Sequence, residues 1–271
     1  IVSVLLNVGL NVHKLSGHMF DFTGKISANP YVRFHWSYDM PKAPTINGAA
    51  SMRWTDLGLL NFGTNRLSLN YLSAKQEVYL SNIEWKKLDV RGGLRNEIVS
   101  VRNIKSQIPG DYDTKLLRND FVSAFIDADT YTFDDGYFPT RGIDAGLSYS
   151  WTFTGFPNRF HNFHTLTADA KVVISAGDFF AFIPSFNFRF LFGDDVPVPY
   201  FNAVGGSLAS RYVDQQIPFV GVTHLSAMKN ILTVFRTDYR FRIAKNHYMK
   251  AILNYARDCD RFDEYAKGLG Y

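Results

Sequence analysis

Phe180-Ala181-Phe182-Ile183-Pro184-Ser185-Phe186-Asn187-Phe188-Arg189-Phe190-Leu191-Phe192 decides the fold. Phe180, Phe182, Phe186, Phe188, Phe190 and Phe192 fall on one face of a period-two pattern, with Ser185, Asn187 and Arg189 on the other. Such alternation belongs to a strand rather than a helix. The segment upstream repeats it: Ile143, Ala145, Leu147, Tyr149, Trp151 and Phe153 alternate with Asp144, Gly146, Ser148, Ser150 and Thr152. A soluble sandwich would have to bury six phenylalanines from one strand together with the tryptophan and tyrosine of a neighbour. A membrane barrel turns the same rings to lipid and the polar face to a wet lumen.

The pattern extends both ways. Leu166 to Ile174, Ile231 to Ile243 and Met249 to Tyr255 alternate downstream of the same region, and Val122 to Ala128 precedes it. Towards the N-terminus, Val2 to Val12, Phe20 to Ile26, Val32 to Tyr38 and Gly48 to Trp54 behave alike. Residues 66–82 and 84–102 read as longer, less regular strands, and 103–118 as a polar loop. About twelve strands result, with a further one beginning at Gly268. The polar faces carry both signs (Asp144, Asp169, Lys171, Arg189, Arg236, Asp238, Arg240, Arg242), as a hydrated interior requires. The expected fold class is therefore all-β, an antiparallel transmembrane β-barrel.

Composition agrees. Of 271 residues 46% are hydrophobic and 16% aromatic, which favours strands and membrane girdles. The formal charge of +4 is spread without a basic run, which excludes a nucleic-acid footprint. The single Cys259 excludes a disulfide framework and a cysteine-rich zinc site. No run of about 18 apolar residues offers a membrane helix.

Between the alternating segments Phe180–Phe192 and Ile231–Ile243 lies Val204-Gly205-Gly206-Ser207-Leu208-Ala209-Ser210-Arg211-Tyr212-Val213-Asp214-Gln215-Gln216-Ile217-Pro218-Phe219. A glycine-rich connection of that length binds, gates or is disordered. Phe133-Asp134-Asp135-Gly136-Tyr137-Phe138-Pro139-Thr140-Arg141-Gly142 is the second irregular stretch, an Asp-rich turn ahead of a strand.

These two stretches resemble the bacterial surface-antigen superfamily of outer-membrane barrels, which includes BamA, TamA, two-partner secretion transporters and the barrels of patatin-like phospholipases. Asp135, Gly136, Phe138, Pro139, Thr140 and Gly142 are similar to its strand-start motif. Gly205 and Gly206, followed by Arg211 and Tyr212, are similar to its Gly-Gly and Val-Arg-Gly-aromatic loop, which folds back into the lumen. The likeness covers roughly residues 120–271. It implies sixteen strands when complete, a single barrel domain over 1–271 lacking its last strands and any upstream domain, and integral placement in the bacterial outer membrane. It also implies pairing of Arg211 with Asp238, with Asn254 at a second, normally acidic position. Tyr212 replaces the family's glycine. The tail Tyr212 to Gly221, with Gln215, Gln216, Pro218 and Phe219, looks most like the patatin-like phospholipase barrels. The function implied is anchoring, and translocating, such a phospholipase; the alternative is an assembly or translocation barrel of the BamA/TamA type. Outer-membrane lipid is the expected partner, with an outer-membrane protein complex or a homodimer beside it.

Catalytic chemistry is not expected within the 271 residues. A patatin-type hydrolase needs Gly-x-Ser-x-Gly on a strand-to-helix elbow, and Gly205-Gly206-Ser207-Leu208-Ala209 lacks the final glycine. His161 and His164 diverge on a strand-entry turn, and Asp134-Asp135-Gly136 lacks the spaced ligands of a calcium loop, so neither a metal nor a cofactor is expected.

Overall fold

A computed structural model of the chain describes residues 6–15, 17–26, 29–61, 65–106, 118–156, 162–194, 196–206, 213–222, 225–245 and 247–265. Ten strands follow one another as hairpins: β1 Leu6–Leu15, β2 His18–Ile26, β3 Tyr31–Tyr38, β4 Thr45–Asn61, β5 Asn65–Trp85, β6 Leu88–Ser106, β7 Arg118–Tyr131, β8 Arg141–Phe156, β9 Asn162–Ala176 and β10 Phe180–Asp194. A long connection carries a 3-10 turn, Val198–Tyr200, and the short strands β11 Ala203–Val204, β12 Gln216–Ile217 and β13 Leu225–Ala227. Then come β14 Ile231–Ala244, β15 His247–Cys259 and a short helix α1 Phe262–Tyr265.

The wall is one antiparallel path, β1 through β10 and then β14 and β15, curled as an incomplete barrel. Among the described residues β1 and β15 are its two edges. The twelve wall strands match the number read from alternation.

Orientation follows the chemistry of alternating positions. Leu94, Ile126, Leu147, Trp151, Phe235 and Leu253 are exposed on the outside. The phenylalanine face of β10 is a continuous ladder there: Phe186 packs on Phe188 and Phe235, and Phe190 on Phe192. The opposite faces of β4 to β9 turn inward, where Arg53, Lys75, Glu77, Arg91, Arg95, Ser148 and Thr167 line a wet space.

Wall height is uneven. β1 to β3 have 10, 9 and 8 residues, whereas β4, β5 and β6 have 17, 21 and 19. A tilted membrane strand needs only about 9–11, so β4 to β6 rise above the bilayer. Here the expected polar loop over 103–118 is corrected at its start. Residues 103–106 extend β6 because the long β5 offers partners, with Asn103 opposite Asn70 and Lys105 opposite Ser68. Residues 107–117 lie outside the described set, as do Val2 and Val4 of the first expected strand and Gly268–Tyr271 of the last.

At the tall end the interior changes character. Leu57, Leu59, Leu67, Leu69, Val99, Val101, Phe121 and Phe163 point inward and are buried, forming an apolar cluster with Ala203 and Val213 of the long connection. In that tier the lumen is filled rather than wet.

Candidate functional site in the lumen

The connection between β10 and β14 folds into the barrel as a plug. β11 sits at its centre, parallel to β12 and antiparallel to β13. β13 then runs parallel to β4, with Leu225, Ser226 and Ala227 opposite Leu59, Leu60 and Asn61. The glycine pair makes this compactness possible. Gly205 (φ 136°) donates to the Ile217 carbonyl at 3.2 Å and Gly206 (φ 76°) to that of Val222 at 2.8 Å. Positive φ excludes most side chains, and a Cβ on Gly206 would lie 2.8 Å from Gln216 Nε2. That amide donates to the Gly205 carbonyl at 2.6 Å, and Gln215 donates to the Pro199 carbonyl. Both glutamines are buried, and both have partners, as buried amides require.

Three kinds of contact hold the plug to the wall. Tyr200 packs edge-on against Phe121 and Phe163, at centroid distances of 5.4 and 5.0 Å, and its hydroxyl donates to Glu97 on β6 at 2.7 Å. Burial, and then the negative charge of Glu97, raise the Tyr200 phenol well above its ordinary pKa. Asn202, fully buried, donates to the carbonyls of Lys229 and Asn230 at 2.7 and 2.9 Å and accepts from Arg189 Nε at 2.8 Å. Asp214 bridges β4 and β5, 3.0 Å from Arg53 Nη1 and 3.0 Å from Lys75 Nζ. Lys75 first and Arg53 second hold its carboxyl well below the usual carboxylate range. A second apolar cluster, Val204 and Ile217 against Leu232, Val234 and Ala256, with Phe219 packed on it, joins the plug to β14 and β15.

The strand-start motif builds a self-stapled turn at the opposite end of the barrel. Asp134 accepts from the Thr140 and Arg141 amides at 2.8 and 3.2 Å and from the Thr140 hydroxyl. Those bonds, the Thr140 hydroxyl foremost, lower its pKa to about 2. Asp135 accepts from the amides of Tyr137 and Phe138 at 2.7 and 2.8 Å and is lowered as well, by Phe138 first. Gly142 has φ +120°, and a Cβ there would meet the Thr132 carbonyl at 2.4 Å. Stapling aims Phe138 and Pro139 at β14 and β15, where Phe138 stacks on Tyr248 with centroids 4.7 Å apart.

The expected lock lies partly outside the described residues. Arg211 and Tyr212 lie outside them, and so does the Arg211–Asp238 pair. Asp238 is held by Arg236 at 2.7 Å and Lys250 at 2.5 Å. Asn254 does reach the plug, donating to the Val220 carbonyl at 3.1 Å. Pro218 is half-buried beside Phe219. Sequence reasoning passed over Asp214, Arg53, Lys75, Glu97, Tyr200 and Asn202. The available signal was apolar residues on both faces of one strand, as in Leu57-Gly58-Leu59-Leu60 and Ile231-Leu232-Thr233-Val234-Phe235, which demands something inside to pack against.

Among the described residues no group of His, Cys, Asp and Glu is arranged to hold a metal. His164 is on the outer face, stacked on Phe192 at 4.6 Å, and His161 lies outside the described residues.

Comparison with known proteins gives the following. The family model described as the OMP85 superfamily matches residues 43–265. The crystal structure of BamA from Haemophilus ducreyi lacking POTRA domains 1–3 superposes with a TM-score of 0.68 at 11% identity, over 89% of this chain and 52% of that one. CdiB from Acinetobacter baumannii gives 0.56 at 10% identity, over 94% of this chain and 46% of that one. The chain thus spans about half the length of these solved structures. None of the curated proteins matches in sequence.

Proposed function

Because this chain belongs to the OMP85 superfamily, whose barrels are integral to the outer membrane, we propose that it forms the membrane part of a protein-translocating or barrel-assembling machine, with the lumenal plug as its working part. The observation that carries this reading is the Asp214 bridge to Arg53 and Lys75. A structural filler needs only apolar contact; this plug adds to its apolar clusters an ionic tie that faces the wet chamber and, contributing only about 0–1 kcal/mol, opens at low cost. Short turns face the periplasm in barrels of this type and long connections face outward. The plug then enters from the outer side, and the Asp134–Thr140 turn faces the periplasm. Partners are substrate polypeptides and other members of an outer-membrane complex.

A narrower version, in which the barrel anchors and exports a patatin-like phospholipase, is supported by the sequence Tyr212 to Gly221. The coding sequence ahead of Ile1 separates the two: Gly-x-Ser-x-Gly in an α/β domain favours the phospholipase, and tandem small βααββ repeats favour assembly or translocation. The functional test reconstitutes the full-length parent in proteoliposomes with an unfolded outer-membrane barrel protein as substrate. Accelerated insertion is expected. An insertion rate equal to that of empty vesicles overturns the assembly reading.

A further inference from the structure

Beneath the plug is a chamber of about 430 Å³. Its described lining brings six cations together, Arg33, Arg53, Lys75, Arg91, Arg95 and Arg189, against the three carboxylates Glu77, Glu97 and Asp214. Each carboxylate is already committed: Glu77 to Arg95 at 2.5 Å, Glu97 to the hydroxyls of Ser73 and Tyr200 at 2.5 and 2.7 Å, and Asp214 to Arg53 and Lys75. Along the lining itself cations thus outnumber carboxylates six to three, with Arg91 further engaged by Asp127 at 2.8 Å.

Positive charge crowded between low-dielectric walls draws anions strongly. Geometry adds to charge. The Arg53 guanidinium lies 5.1 Å from the Tyr31 ring centroid and that of Arg95 lies 4.7 Å from Phe125, so rings fix both groups. Ser150, Thr165 and Thr167 bring hydroxyl donors from the β8 and β9 side. Arg33 has no ion pair among the described residues, and its cross-strand partners are the hydroxyl-bearing Thr23 and Ser51. Guanidinium forks and hydroxyls together are what a tetrahedral oxyanion takes as donors, and the volume exceeds several times the roughly 30 Å³ share of one water.

We propose that this chamber is a binding site for a multiply charged oxyanion of the phosphate class, with Arg33 as its uncommitted donor. The proposal rests on the reading of the lumen as an enclosed wet space. It does not rest on export activity.

The experiment is titration calorimetry on the folded chain in neutral detergent, with sodium pyrophosphate in one arm and dihexanoyl phosphatidic acid in the other. Expected is binding that weakens as ionic strength rises. Arg33→Ser removes a charge-assisted donor and weakens it by at least about tenfold. Ser51→Asp places a carboxylate opposite Arg33 and has the same effect without removing a cation, so the two variants guard against a folding artefact. Binding in the pyrophosphate arm identifies a free phosphate. Binding confined to the lipid arm, with the same dependence on Arg33, identifies a headgroup. No binding in either arm, or binding indifferent to both variants, overturns the site. A chain that is folded yet does not bind leaves the translocation reading standing, and a parent inactive in proteoliposomes leaves the site standing.

Discussion

Arg240 donates a 2.6 Å hydrogen bond to the carbonyl of Pro139, across 101 residues of sequence. The same guanidinium lies 5.8 Å from the ring centroids of both Phe138 and Tyr248. A turn after β7 is thereby braced to β14 and β15, past the intervening β9–β10 hairpin. Phe138→Ala removes the stack and one face of the cation site, at about 1–2 kcal/mol. The urea midpoint of the detergent-folded protein should fall accordingly, with the plug's protease resistance unchanged.

Two glycines of the same turn should respond differently to a methyl group. At Gly142 a methyl group collides with the Thr132 carbonyl and the backbone is at φ +120°, so Gly142→Ala costs about 1–3 kcal/mol. At Gly136 nothing lies within 4 Å, so Gly136→Ala is nearly neutral. Thermal unfolding followed by circular dichroism tests the contrast.

The Asp214 latch predicts a local effect. Asp214→Asn removes the charge that Lys75 and Arg53 share, and at this solvent-facing position the loss is about 1 kcal/mol or less. Proteolysis within residues 196–230 should accelerate by up to about fivefold while the wall strands remain protected. The folded pKa of Asp214 is depressed, so its contribution is complete above the ordinary carboxylate value near 4. It is lost as pH falls below that value, and the accelerated cleavage of wild type by an acid-active protease should appear only there.

Acid should also unpick the Asp134 staple, over a window that can be stated. Its folded pKa of about 2 lies below the ordinary value of 3.8, so protection of the Thr140 amide persists at pH 4 and disappears as pH falls through about 2. Hydrogen exchange at Thr140 reads this directly. Asp134→Ala, which removes the acceptor, should show the unprotected rate at every pH.

The wall was legible in the sequence because membrane strands alternate, and rings such as Phe186, Phe188 and Trp151 pack on other rings of the same outer face. What alternation does not encode is height. β6 runs to Ser106 because β5 is there to pair with it, and nothing local to Asn103 or Lys105 announces a strand. The plug's presence was legible in its glycines and its length, and Gln215 and Gln216 were identified as part of it. Its attachments were not, since Arg53, Lys75 and Glu97 look like any other lumen-facing charges until the fold brings Asp214 and Tyr200 to them. The Asp134–Gly142 stretch was read through family likeness, and its physical content, carboxylates capping free amides, emerges only from the geometry.

β3 stops at Tyr31, opposite Arg53, while its neighbour β4 continues to Asn61. The bare edge of β4 is covered first by Asn29 and Pro30, which bond the amides of Asp56 and Trp54, and then by β13. The piece that stoppers the duct is therefore also a plank in its side. Were it withdrawn, Leu59 to Asn61 would lose the strand that lies beside them, and a stretch of that rim would be left with unsatisfied backbone.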